Sequence, residues 1–481
     1  MNYHVISIVC IAFFHDTVYR LTKNALSKKG KKQMIYDYII VGGGISGLYS
    51  GYKLQKQNPK TSFLILEKNA EMGGRTNTSF FGGTEIVEAA HVGRHGKDTL
   101  LYNLIQELNV AHKLFTVQYH YTPDFNHADP NFIMNTTIYL QEQYIQHMHE
   151  ALEKKESFNF PTFKKFATRI LGPEKYNYFI HATGYTDYQK EDAHEVLFYY
   201  GMEDNKEGWT AIKLSWDKLH EALTHAIGMN HIKQKNTALQ VNMIQKTSDP
   251  LFEIVVLNDH KKEQIFTAKN IIFALPMNAY NSILKNSPTL QTVLEPIEYI
   301  VPQNFLRVYG HFKHPVRELL KQYIPHHSIV FSPLHYVIPM DADKGVYLLA
   351  CSDNDDADML SAYCKNNEKN HAYFEQEIEK NFHMPTGSLK DSLEKIQCFN
   401  WEEGTHYLLP PHSKDIIPHF MQEKDVRKAL YKHKMNQLVK TRYPHSHIFL
   451  VGEAVSDNRG WVEEALKSVE YMLPNLQKKV S

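Results

Sequence analysis

The sequence predicts an α/β chain built on a Rossmann-type dinucleotide-binding domain. Three observations predict it. A short apolar run, Tyr38-Ile39-Ile40-Val41, leads straight into Gly42-Gly43-Gly44-Ile45-Ser46-Gly47 and a helical stretch. A second apolar run, Phe63-Leu64-Ile65-Leu66, ends on the acid Glu67. Further strand-like runs return late in the chain, at Asn270–Phe273 and Ile448–Val451, as a sheet assembled from distant segments requires.

The first run is too short and too uniformly apolar for an amphipathic helix, and reads as a buried parallel strand. Gly42 permits the tight turn after it. Gly44 lets backbone approach a pyrophosphate, and Gly47 lets the following helix pack closely on the strand. Leu48–Gln57 continues as that helix. Its N-terminal residues, with Ile45 and Ser46, offer unpaired N–H groups and a partial positive charge to phosphates. Glu67 lies 25 positions after Gly42, near the ~20 expected of an acid that binds ribose hydroxyls. Carboxylate there favours an unphosphorylated ribose.

Beyond Glu67 runs Lys68-Asn69-Ala70-Glu71-Met72-Gly73-Gly74-Arg75-Thr76. An acidic strand end followed by this G-G-R-x turn resembles the flavin-containing amine oxidase family, which includes monoamine, polyamine and L-amino-acid oxidases. The resemblance returns at Val241-Asn242-Met243-Ile244, at Asn270-Ile271-Ile272-Phe273-Ala274-Leu275-Pro276, at Ile448-Phe449-Leu450-Val451-Gly452-Glu453-Ala454 and at Gly460-Trp461-Val462-Glu463-Glu464-Ala465-Leu466. These pieces keep family order from Tyr36 to about Leu473.

The resemblance implies FAD, with Gly74, Arg75 and Lys68 beside it, backbone of Val241 at the adenine, and Glu453, Trp461 and Val462 near the flavin. It implies a Rossmann-type FAD-binding domain that is discontinuous, from 34–90, 225–280 and 435–481, with 91–224 and 281–434 forming an inserted α+β substrate domain. Within the insert, Gly345–Ala350 reads as a strand and Met359–Phe382 as one helix.

The activity implied is oxidation of an amine or amino acid, with dioxygen as acceptor. Two aromatic side chains commonly flank the substrate nitrogen in this family. Trp461 aligns with one, and the second falls on His406 or, next, Tyr407. Monoamine oxidases tether the flavin through a cysteine in the segment equivalent to Gly404–Tyr407. None is present here, which points to non-covalent FAD. Many members carry a lysine near the flavin where Phe305–Phe312 places Arg307, which keeps the charge but not the compact ammonium. An amino-acid substrate needs a cation for its carboxylate. Arg94 is the candidate, the alternative being a surface or cofactor-side arginine. Another redox flavoprotein of the same fold, or a non-catalytic flavin binder, stays open.

Composition narrows the partners. Lys plus Arg and Asp plus Glu are each 53, leaving no net field to draw nucleic acid. Four cysteines in 481 residues, with no CxxC pair, suggest a reducing, cytoplasmic setting. The histidine doublets, His326-His327 and His147-x-His149, lack further ligands for a metal and read as surface. Val5–Phe14 is ten residues, short of the ~20 that span a bilayer, and a lysine-rich stretch follows it. Residues 1–33 therefore read as an extension, an upstream mis-start, or a secretory or weak membrane-contact segment.

Overall fold

The computed structural model describes residues 34–125, 129–154, 160–202, 208–245, 249–411 and 423–477; the expected extension at 1–33 lies outside them. Strand Ile35–Val41 pairs in parallel with Phe63–Leu66, Tyr38 opposite Phe63 and Val41 opposite Leu66. Helix Ile45–Gln57 makes the crossover that parallel neighbours require. Ile39, Ile40, Val41 and Phe63–Leu66 are all buried, as in a strand covered on both faces. Ile65 pairs in turn with Ile232, and Phe273 with Leu450, so four distant segments join one seven-stranded sheet. An antiparallel meander, Thr237–Gln245, Leu251–Leu257 and Glu263–Phe273, completes it.

The phosphate-side helix buries Leu48, Tyr49 and Leu54 in a core with Phe63, Trp216, Leu466 and Val469. Those last two belong to the C-terminal helix Val462–Gln477. The end of the chain thereby packs on the first crossover.

A second sheet has six strands, and Ile300–Phe312 lies between Val346–Asp353 and Leu393–Leu408. Arg307 stands opposite Cys351 on one side and Phe399 on the other. One face packs on helices Pro130–Glu153, Phe163–Leu171, Pro173–Thr183 and Ala193–Tyr199 through an aromatic core. Everything described from Tyr36 onward forms one compact unit. No helix among the described residues is long and apolar enough to cross a membrane.

One element differs from expectation. Met359–Phe382 is not a single helix but two, Asn354–Ser361 and Glu368–Asn381. The first ends at Ser361, and after a break Asn367 caps the second, its side-chain oxygen accepting the Asn370 N–H at 3.0 Å. Asparagine competes for backbone groups in this way, so a polar Asn-Asn step divides what periodicity alone joins.

Candidate active site

The first turn is shaped by contacts that leave no room for side chains, except at one place. Gly42 has φ +107°, and a Cβ on it would lie 2.3 Å from the Ala274 carbonyl oxygen. A Cβ on Gly47 would lie 2.0 Å from Gly42 O, so the helix packs here only on glycine. Gly44 is different. Its Cβ would meet nothing nearer than Gly73 O at 3.8 Å, so packing does not demand glycine there. The space over it is what a pyrophosphate would use. Helix Ile45–Gln57 starts at Gly44 with no side-chain cap, which leaves its first N–H groups for an anion.

The G-G-R turn closes over this space: Gly44 and Gly73 form a parallel bridge, and the Gly73 N–H donates to Gly43 O at 2.9 Å. Glu67 is buried, and each of its oxygens accepts one backbone N–H, from Gly43 at 2.7 Å and Asn69 at 2.8 Å. A carboxylate offers about four lone-pair positions, so capacity for ribose hydroxyls remains. The residues present thus fit a dinucleotide. Ile45 and Ser46 sit buried at the helix start, while Lys68 is exposed beside Glu67.

Arg75 points from that turn into a buried ion network. Its guanidinium donates to Glu453 Oε1 at 2.8 Å and to the carbonyls of Gly404 and Glu403. Glu453 also accepts from His406 Nδ1 at 2.6 Å and, through Oε2, from the Gly460 N–H at 3.0 Å. Burial alone would raise the Glu453 carboxyl, but His406 and Arg75 outweigh it and pull it down to about 2. For His406, burial opposes the charge while Glu453 and Glu403 favour it, and the imidazole ends above its ordinary value. Its Nε2 sits between two partners, the Met277 N–H at 3.2 Å and Glu403 Oε2 at 3.9 Å. Neutral His406 accepts from Met277; protonated His406 gives its second proton toward Glu403.

Segment Val87–Arg94 runs between side chains of the second sheet and of helix Trp216–Ile227. Its carbonyls are taken one after another: Val87 by Tyr309 Oη, Glu88 by Trp401 Nε1, Ala89 by Arg307 Nε and Ala90 by Trp216 Nε1, at 2.6, 3.1, 2.7 and 2.9 Å. At its end, Arg94 donates from Nε and Nη2 to Asp98 Oδ1, at 3.0 and 2.7 Å. The other oxygen of Asp98 accepts the Trp461 indole N–H at 2.6 Å, and the Arg94 guanidinium lies 5.8 Å from the Trp461 ring centre. Trp461 is therefore held by a fully buried carboxylate before the last helix begins at Val462.

Residues 40–108 match the model of an NAD(P)-binding Rossmann-like domain. Short stretches resemble two curated proteins. One is an uncharacterized protein of Acanthamoeba polyphaga mimivirus, 40% identical over 50 residues, 10% of each chain. The other is the mitochondrial L-2-hydroxyglutarate dehydrogenase of Dictyostelium discoideum, 58% identical over 38 residues, 8% of each. These matches span a tenth or less of either relative. Among solved structures, an engineered triple mutant of putrescine oxidase, from a redesign of its cofactor binding, superposes with TM-score 0.64 at 14% identity. The match covers 93% of this chain and 100% of that one. The fold is that of putrescine oxidase. A putative protoporphyrinogen oxidase from Exiguobacterium sp. 255-15 shares it, with TM-score 0.60, 14% identity and the same coverage.

Within the putrescine-oxidase fold, the site residues read from the sequence fall into groups. Gly42, Gly44, Gly47, Glu67, Gly74 and Arg75 come together at the first turn, and Glu453 joins them through Arg75. Three expectations need correction. Val241 is packed in the core, and its N–H donates to Ser287 Oγ at 2.9 Å, so it is not open to a ligand. The strand beside Glu67 is Ile232–Lys233 instead, whose Lys233 carbonyl accepts the Glu67 N–H at 2.9 Å. Arg94 has its fork engaged by Asp98 and does not present it to a carboxylate. His406 is not an open aromatic face: both ring nitrogens are engaged in the ion network. Tyr407 is buried and lines, with Arg459 and Glu191, a cavity of about 30 Å³.

His327 also departs from its surface reading. Its Nε2 is buried, and its ring packs against Tyr119 and Tyr336. The sequence reading missed Asp98, although an aspartate directly before Thr99-Leu100-Leu101 is a helix-start signal. It missed Trp216 and His91 too, for which no local signal exists.

Proposed function

We propose that this chain is an FAD-dependent oxidoreductase that holds its cofactor non-covalently and oxidises a C–N bond of an amine or amino acid to the imine, with dioxygen as acceptor. The observation that carries this reading is the cradle at Gly44, open where packing needs no glycine, beside a Glu67 carboxylate with lone pairs to spare. FAD, when bound, supplies the hydride-accepting chemistry. Gly42–Gly47 and the first N–H groups of the helix hold its pyrophosphate, and Glu67 its ribose. Glu453 fixes the Gly460 N–H, and Asp98 fixes Trp461, so the start of the last helix is rigid where substrate and cofactor meet. Segments 34–90, 225–280 and 435–481 make the cofactor domain in this reading, and 91–224 with 281–434 the substrate domain.

Non-covalent binding is supported by the absence of cysteine at Gly404–Tyr407, the segment where the resemblance to monoamine oxidases would place a flavin tether. Cys398 stands opposite Val308 and is hydrogen-bonded to Cys364. A second reading, an oxidoreductase passing electrons to an acceptor other than dioxygen, is favoured by one feature: arginine rather than lysine at 307. Anaerobic addition of amines and amino acids to FAD-loaded protein tests the proposal. Loss of visible flavin absorbance with one class supports it, and a protein that takes up no flavin overturns it.

A further inference from the structure

Arg75, Arg94, Arg442 and Arg459 each hold a carboxylate: Glu453, Asp98, Asp457 and Glu191. Arg307 holds none. Its side chain is buried at 7% exposure, and its Nε is used by the Ala89 carbonyl, but no Asp or Glu among the described residues pairs with it. Its surroundings are aromatic, thiol or basic. Cys351 faces it across the sheet, the Tyr309 hydroxyl is hydrogen-bonded to it, Tyr185 lies near, and His91 and His327 are within electrostatic reach.

The Nε2 of His327 is buried without a hydrogen-bond partner. His91 and Tyr185 keep part of their surface accessible, so they border a space rather than close-packed core. Burial, and then the Arg307 charge, push His327 down to about 4, so at neutral pH it carries a single ring N–H. A buried guanidinium without an anion is costly, and its planar fork matches the two oxygens of a carboxylate.

We propose that Arg307, with His327 and His91 beside it, docks the carboxylate of the substrate, which makes the substrate an amino acid rather than a simple amine. Tyr185 contacts Tyr336 and Phe305, with ring centres 5.1 and 6.4 Å apart, and gives the space an aromatic wall suited to an apolar side chain. The word substrate rests on the flavoprotein reading; the carboxylate site rests on Arg307 itself.

The test is calorimetric titration of the full chain with benzoate and, separately, benzylamine, with flavin content measured on the same samples. Wild type is expected to bind benzoate in preference to benzylamine. Arg307→Gln is expected to weaken benzoate by roughly 10- to 100-fold, the usual scale for hydrogen bonds to a charged group. Arg307→Lys retains the charge and most of the binding. His327→Gln leaves the Ala89 contact intact and is expected to weaken benzoate several-fold, so the proposal stays testable if Arg307→Gln does not fold. Preference for benzylamine, or benzoate binding indifferent to both positions, overturns the carboxylate dock. A sample that binds flavin but no benzoate overturns the dock alone. One that binds benzoate but no flavin upholds the dock and sinks the flavoprotein reading.

Discussion

Glu453→Gln removes one negative charge from the centre of the buried network while keeping its shape. The native carboxyl lies at about 2, against roughly 4.3 in an unfolded chain. A displacement of about 2 pH units corresponds to about 3 kcal/mol of stability at pH 7. Breaking one side of a buried pair commonly costs about 3–5 kcal/mol, and glutamine, whose single carbonyl oxygen can still accept from either Gly460 or His406 but not both, belongs at the lower end. The sign with pH follows from the depressed value. The carboxylate's contribution is fully present above about 4.3 and is lost as pH falls through about 2. His406, with a raised value, behaves oppositely: its contribution is present below about 6.5 and is lost as pH climbs past its own value. Equilibrium urea unfolding followed by far-UV circular dichroism is the assay. Glu453→Gln is expected to lose about 3 kcal/mol at pH 7, with the gap to wild type narrowing as pH is lowered toward 3. A difference below about 0.5 kcal/mol at pH 7, the scale of ordinary surface changes, refutes the reasoning.

Three further outcomes follow from the geometry. Gly47→Ala forces a methyl against Gly42 O and destabilises the chain by at least about 1–3 kcal/mol, whereas Gly44→Ala melts like wild type but binds FAD at least ~10-fold more weakly; unchanged FAD affinity in a fluorescence titration would remove the cradle. Asp98→Asn strips the charge from the contact with Arg94 and Trp461 and is expected to cost about 1.5–3 kcal/mol with a shift in tryptophan emission, and an unmoved spectrum would count against Trp461 being held there. Arg307→Lys supplies the compact ammonium and is expected to speed reoxidation by dioxygen at unchanged FAD content; an unaltered stopped-flow rate ends the comparison of position 307 with the family's lysine.

The first strand, turn and helix were legible because their signals are local: an apolar run, glycines at fixed offsets, and an acid one strand later. Glu453 was legible in the same way, as the acidic end of a strand. What escaped depends on partners far along the chain. The Asp98–Trp461 contact joins residues 363 positions apart. Val241 and Ile232 sit in neighbouring apolar runs, and only the pairing of Ile232 with Ile65 tells which run borders Glu67. His326 and His327 look alike as a doublet, but they lead into strand Ser328–Ile329 in different surroundings. One is exposed, and the other buries its Nε2.

The central claim is a bound, redox-active flavin. The absorbance spectrum of the purified chain loaded with FAD, recorded anaerobically before and after amines and L-amino acids, tests it most directly. The account predicts a flavin band that survives gel filtration, is lost on denaturing precipitation as free FAD, and bleaches with an L-amino acid or amine. A protein that remains colourless after FAD loading contradicts it.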